Sequence, residues 1–440
     1  MSDYRKGHKN LKHTVTEVKL KNGAKGLLIN VPSASVMAFD INFKAGYFLS
    51  EDHKWETAHI MEHMALGANQ TYRSSRKFNA VLQQNGAYSN AGTNAHDIVY
   101  DAECADFEWD RIFDLMLLAI SKPLFMASEF EAEVGNIHEE LIQRGNNHGA
   151  QLNLELGKQL GFYAKTHHER LELLKNVTLE DVKEHYKKTH FTKNMRFVIA
   201  GPIDSQRKKA IIAKLEKVDL PEGDRGRFEM PDEIPRKLEK PVFIKNKTVP
   251  NLYFDIDTFK LGGRLSEPEL YALSAVNNIL NGTLHSRILG KAREQGLVYS
   301  MGSNRYWSKN YTAWGIGAQV SPNNAPELFD LVVREIKRVL NGTLDAKDLA
   351  AAKDFAIGSY QRGAQTVNSV SSRYRGLYFA LDKVEDFYEF PEKVKAVTRP
   401  RAVAAYQKVF EDGIYGLGFL GTADQELRDQ LEQKVASIWQ

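Results

Sequence analysis

Residues 39–51 read FDINFKAGYFLSE, and residues 254–267 read FDIDTFKLGGRLSE. Both begin as a strand-like stretch, pass through Lys and Gly, and end in Leu-Ser-Glu ahead of a helical pattern. The offset is 215 residues at the start and drifts by one by the end. Further along, VTLEDVKEHYKKTHFTKNMRFVIAGPID (177–204) answers to VTRPRAVAAYQKVFEDGIYGLGFLGTAD (397–424). Val177/Val397, Thr178/Thr398, Tyr186/Tyr406, Gly201/Gly421 and Asp204/Asp424 share one offset of 220. Thr178 with Asp181 forms a capping box, so a helix is expected to start there and a short strand ending in Gly to follow. A third match pairs Gln143-Arg144-Gly145 with Gln361-Arg362-Gly363 at an offset of 218.

Three matches in order at nearly one offset predict a duplication. Between the copies, residues 220–241 (LPEGDRGRFEMPDEIPRKLEKP) are rich in Pro, Gly and charge and read as a linker. The expected fold is therefore α+β: two similar domains, each an antiparallel-rich sheet packed by long helices. The boundaries read 1–219 for the first domain, 220–241 for the linker and 242–440 for the second.

Composition narrows the function classes. The 440 residues carry 59 basic and 56 acidic side chains, a net charge of +3 that argues against a nucleic-acid partner. No run approaches the ~20 apolar residues of a membrane span. The amino-terminal MSDYRKGHKNLKHTVTEVKL is charged but has no apolar core, so it is not read as a secretory signal, and a cytoplasmic location is expected. Cys104 is the one cysteine, which precludes an internal disulfide; it is expected to be a small buried hydrophobe.

The chemistry concentrates in WETAHIMEHMALG, residues 55–67. His59 and His63 stand at i and i+4, so their imidazoles leave one face of a helix and can share one metal ion at about 2 Å each. Glu62 lies on the same side and can reach a water there without being a ligand. On a helix, His and Glu most often mark a solvated face. Here the flanking Ala58, Ile60, Met61, Met64, Ala65 and Leu66 are apolar, so the helix is expected to be buried, and a buried His-Glu-His triplet needs a partner. A catalytic zinc takes a third protein ligand. The acidic helical stretch EFEAEVGNIHEELIQR (129–144) offers Glu133 and Glu140, two turns apart on one face, one to ligate and the other to orient. His138, two residues before Glu140, points away from that face. At the repeat offsets, His59, Glu62 and His63 fall on 274–279 and Glu133 and Glu140 on Ala351 and Gly358, none of which is a ligand. One metal per chain is expected, in the first half.

HxxEH, the reverse of HExxH, resembles the motif of the pitrilysin/insulinase family of zinc metallopeptidases, the inverzincins, and most closely its short two-domain members related to the processing peptidases. The stretch FKAGYFLSEDHKWETAHIMEHMALG (43–67) is similar to the family's strand, turn and zinc helix. Glu140, 77 positions after His63, stands where the family has its distal glutamate ligand, and Glu133 where it has a supporting glutamate. The stretch QNGAYSNAGT (84–93) resembles the edge strand beside the zinc, with Asn90 and Ala91 at the positions that meet the substrate backbone. HSRILGKAREQGLVYS (285–300) is similar to the Arg…Tyr element, although Arg293 and Tyr299 are six apart here where the family has seven. The resemblance implies a zinc endopeptidase acting on peptides or unfolded segments, with Glu62 as base and Tyr299 and Arg293 at the oxyanion. It further implies a homodimer, with a heterodimer with a related chain as the alternative. The rival reading is a non-catalytic partner or scaffold subunit of the same fold; such relatives lose one or more HxxEH residues, and here all are present.

Overall fold

A computed structural model describes residues 12–223 and 225–440. Residues 1–11, part of the stretch read for a leader, lie outside the described residues, as does position 224 in the linker stretch. Two compact units form. The first takes in the described residues through Ile142, then His168–Pro231 and Tyr360–Phe387; the second takes in Gln143–His167, Asp232–Ser359 and Tyr388–Gln440. The units thus interleave along the chain instead of following one division at 220–241.

In the first unit, strands β1 (Thr14–Lys19), β2 (Lys25–Asn30), β3 (Val36–Phe43), β4 (Tyr88–Thr93), β5 (Ile98–Ala105) and β6 (Met195–Gly201) form one sheet in the order β1-β2-β6-β3-β5-β4. In the second unit β7 (Val242–Lys245), β8 (Leu252–Leu261), β9 (Met301–Trp307), β10 (Tyr311–Val320) and β11 (Ile414–Gly421) form another, in the order β7-β11-β8-β10-β9. Each sheet is antiparallel apart from one pair, β2 with β6 and β7 with β11. The register carries the duplication: Phe39 faces Ile199 and Ala102 across its two neighbours, and Phe254 faces Phe419 and Ala318.

Alternation along β3 sorts its side chains. Phe39, Ile41 and Phe43 enter a core completed by Phe113, Met61, Met64 and Ala65. Asp40, on the other face, is buried beneath helix Val367–Leu381, whose Ser371 and Arg375 bond it. In the second unit helix His148–Leu160 plays the same part. Leu152, Leu156 and Leu160 recur every four residues, are fully buried, and lie on Gly416 and Gly418 of β11. A Cβ at either glycine would come within 2.9 Å of a leucine methyl, so the close approach requires Gly. The matched Gln-Arg-Gly triplets sit where each half of the sequence turns toward the helix it gives to the other half's sheet.

Cys104 is buried and its thiol is pushed up to about 12 by burial, as befits a small core residue. Among the described residues no helix is long and apolar enough to cross a membrane.

Candidate metal centre

Helix Thr57–Ala65 is short and almost wholly buried, because its apolar flanks join the first core. That burial holds His59 and Glu62 inside the unit, 3 % and 5 % exposed, with His63 at its rim. Helix Ala127–Gly145 runs past it, anchored by buried Ile137 and Leu141. Spacing of four and three residues puts Glu133, Ile137 and Glu140 on one face, so burying Ile137 turns both carboxylates toward the histidines. Glu129 of the same helix ties it to the chain leaving the histidine helix, accepting from Ala68 N at 2.9 Å and from Ser75 N at 2.8 Å.

Both histidines turn the same nitrogen to one point. His59 Nε2 lies 3.5 Å, and His63 Nε2 3.7 Å, from Oε2 of Glu140. Behind them, His59 Nδ1 donates to Glu56 Oε2 at 2.9 Å and His63 Nδ1 to Glu133 Oε2 at 3.0 Å. A carboxylate on each Nδ1 leaves the Nε2 lone pairs directed at Glu140. Tetrahedral zinc with bonds of about 2.0–2.1 Å spaces its donor atoms about 3.4 Å apart. The observed separations are close to that, so His59, His63 and Glu140 fit a zinc ion. Glu62 stands beside this set, one of its oxygens and one nitrogen of each imidazole lying within 4.8 Å of one another.

Charge points the same way. Glu56, Glu62, Glu133 and Glu140 gather around the two imidazoles, with Arg170 as the cation paired to Glu56. A divalent ion offsets the excess. Burial pushes the Glu62 carboxyl above its ordinary range, against the pull of His63, His59 and a 3.0 Å bond from Thr93 Oγ1 to its Oε2. Burial works against a charge on His63, yet its bond to Glu133 and the neighbouring carboxylates raise it; the same bond holds Glu133 low.

Glu56, Arg170, Tyr47 and Thr93 escaped the sequence reading. Glu56 was accessible to it, being three residues before His59 on the same helical face. Arg170, which grips Glu56 through Nε at 2.6 Å and Nη2 at 2.9 Å and donates to the Tyr47 hydroxyl at 2.7 Å, carries no local signal. Asn90 and Ala91 lie on β4, an edge strand whose Thr93 reaches Glu62. Arg293 and Tyr299 belong to the second unit. Tyr299 is 82 % exposed, and the Arg293 guanidinium sits 4.8 Å from its ring centre while donating to its carbonyl at 2.5 Å.

In the second unit the counterparts of the histidine helix positions make internal bonds. Ser274 Oγ accepts from Arg305 Nε at 2.6 Å, and Asn277 Oδ1 accepts from Trp314 Nε1 at 2.9 Å. Asn278, Ala351 and Phe355 line a cavity of about 50 Å³, and among the described residues no cluster of metal-binding side chains lies there.

Residues 27–160 match the family described as insulinase (peptidase family M16), and residues 176–355 match the peptidase M16 inactive domain. A Rickettsia felis protein named as an uncharacterized zinc protease is 23 % identical over 336 residues, covering 72 % of this chain and 76 % of that one. The Bacillus subtilis protein YmxG, also named as an uncharacterized zinc protease, is 21 % identical over 403 residues, covering 89 % and 95 %. In fold, the chain is similar to a protease from Helicobacter pylori, with a TM-score of 0.81 at 17 % identity over 93 % of this chain and 100 % of that one.

Proposed function

The chain belongs to the insulinase family of peptidases, M16, and from that premise we propose that it is a zinc-dependent endopeptidase acting on peptides or unfolded protein segments, with Glu62 as the base. One observation carries the reading: two imidazoles, each held from behind by a carboxylate, aim their Nε2 atoms at one oxygen of Glu140. His59, His63 and Glu140 would hold the ion. When bound, zinc lowers the pKa of a water and offers positive charge to a developing oxyanion.

The chain's own groups do the rest. Glu62 accepts a proton at Oε1 from the attacking water and passes it to the departing amine, while Thr93 holds Oε2 in place. A carboxyl raised by burial suits that exchange near neutral pH, since donor and acceptor strengths are better matched. Glu133 and Glu56 keep the imidazoles in the orientation the ion needs. An extended substrate adds to the open edge of β4 at Asn90 and Ala91, so backbone pairing supplies affinity with little demand on sequence. Tyr299 and Arg293 steady the substrate carbonyl. Because one chain carries both residue sets, the working particle we propose is a homodimer that needs no different chain for catalysis.

The test compares wild type with Glu62→Gln on a quenched mixed-peptide library, with zinc measured on both. The expected result is one zinc per chain in each protein and cleavage by wild type alone. Zinc without cleavage in wild type would move the chain to the scaffold reading, and absence of zinc would end the proposal.

A further inference from the structure

Strand β4 is the free edge of the first sheet, paired only with β5. Alternation sorts its six residues. Ser89, Ala91 and Thr93 are half-buried on the face of the histidine helix, where Thr93 reaches Glu62. Tyr88, Asn90 and Gly92 are exposed on the other face, in register with Glu103, Asp101 and Val99 of β5.

Side-chain size grades along this exposed row. Gly92, beside Thr93, offers nothing to pack on, and a Cβ built there would meet nothing within 4 Å. Asn90 is short and polar. Tyr88, at the far end, is 56 % exposed, and among the described residues its hydroxyl has no hydrogen-bond partner.

The turn that delivers Tyr88 is braced. Asn85 and Gly86 both take positive φ, +61° and +78°, the conformation that glycine adopts most readily. Asn85 Nδ2 donates to Glu108 Oε1 at 3.0 Å. Arg111 donates from Nη1 to Val81 O at 2.6 Å and from Nη2 to Gln84 O at 3.2 Å, and its Nε binds Glu108 as well. Tyr88 is therefore a large ring on a fixed support, with only two side-chain torsions to immobilise when something packs on it.

We propose that Tyr88 is a specificity-determining residue, which selects an apolar side chain, aromatic above all, about five residues from the bond that is cut. The proposal rests on the reading of β4 as the strand to which a peptide substrate adds. Thr93 stands at the level of the base, and Tyr88 lies five residues back, about 17 Å along a strand that rises ~3.4 Å per residue. A substrate strand has the same rise, so the side chain beside Tyr88 is about five residues from the reacting carbonyl. Neighbours on one face of paired strands touch, and pairs that include an aromatic ring are favourable among them. Closer to the cut, Asn90 and Gly92 give that face little grip, so side chains there are accepted with little preference.

The test uses the full-length chain and peptides of alternating serine and alanine that carry a single phenylalanine. Mass spectrometry reads where they are cut. In wild type the cuts are expected to collect about five residues to one side of the phenylalanine, roughly three- to tenfold over other bonds. Tyr88→Ser should spread them evenly. Tyr88→Ser/Gly92→Tyr moves the ring four residues along the same face and should gather the cuts about one residue from the phenylalanine; Gly92 is not at positive φ, and the space at its Cβ is open. A ring that served only the fold would not move the cut. Binding by Glu62→Gln, read by fluorescence anisotropy, needs no chemistry. It should favour the phenylalanine peptide over its serine-alanine parent by roughly three- to tenfold, and Tyr88→Ser in the same background should lose the difference. That binding preference without cleavage by wild type would sustain the subsite and sink the peptidase reading. Cleavage at bonds that ignore the phenylalanine, equal binding of the two peptides, or an unchanged cut pattern in Tyr88→Ser would overturn the subsite alone.

Discussion

Replacing Arg170 with methionine removes the cation from a fully buried pair. Glu56 is 0 % exposed and accepts from Arg170 at 2.6 and 2.9 Å and from His59 at 2.9 Å. Burial alone would raise the Glu56 carboxyl, yet the Arg170 and His59 bonds hold it down to about 2. The drop from 4.5 in the unfolded chain is worth about 3 kcal/mol, at ~1.4 kcal/mol per pH unit. Because the folded value is depressed, this stability is present above pH 4.5 and is lost as pH falls toward 2. Arg170→Met at pH 7 strands the carboxylate, so the loss should be about 3–5 kcal/mol. It should also weaken zinc binding roughly ten- to a hundredfold, since Glu56 no longer holds His59 squarely. Urea unfolding of metal-free protein at pH 7 and pH 4 reads the first effect, and competition with a chelator reads the second. Glu56→Gln/Arg170→Met, with both charges gone, should regain most of the stability but not the zinc affinity. If the double variant is no more stable than Arg170→Met at pH 7, no charge was stranded and the reasoning fails.

Thr93→Val should lower kcat/KM by roughly tenfold and move the acid limb of the pH–rate profile upward, because Glu62 loses an O–H that favours its charged form; an unmoved limb would count against Thr93 holding the base. His185, fully buried with Nε2 on Ala45 O at 2.8 Å, is lowered by burial to about 4. The unfolded chain therefore binds a proton that the folded chain refuses between pH 6.5 and 4, and stability falls across that window by up to about 3 kcal/mol. Urea midpoints at pH 7 and pH 5 should differ less for His185→Gln than for wild type, and equal differences in the two proteins would refute this. Gly201→Ala and Gly421→Ala should each cost about 1–3 kcal/mol, since both glycines have positive φ, +149° and +140°, with Met37 Sδ and Asn251 O in the way of a Cβ. Thermal unfolding that leaves either variant unchanged would contradict the crowding.

The duplication was legible because its matched residues do local, backbone-bound work. Thr178 and Thr398 open one pair of helices, Asp204 and Asp424 cap the starts of the next pair, Gly201 and Gly421 end strands at positive φ, and Tyr186 and Tyr406 are buried. Such roles depend on a few neighbouring residues and survive divergence elsewhere. The His59-Glu62-His63 cluster was legible for the same reason, one helical turn being enough to define it. Which sheet a helix covers is not local. Leu152, Leu156 and Leu160 announce an apolar stripe but not its destination, so a division at 220–241 followed naturally from the linker composition. Arg170 was invisible because nothing links its position to that of Glu56 except the finished packing.

The exchange of helices has a consequence for how the protein is made. On the ribosome, β6 is complete long before Val367–Leu381 has been synthesised, and at about 5–20 residues per second the wait is on the order of ten seconds. Throughout it, Asp40 and the face around it stand in water, without the helix whose Ser371 and Arg375 later seal them. The amino-terminal half therefore waits for a helix from the other end of the chain before this face of its sheet is covered. A gene cut at the linker would yield two fragments, each missing the helix its own sheet requires. Co-expressed, they have reason to find one another, since each carries the segment that finishes the other.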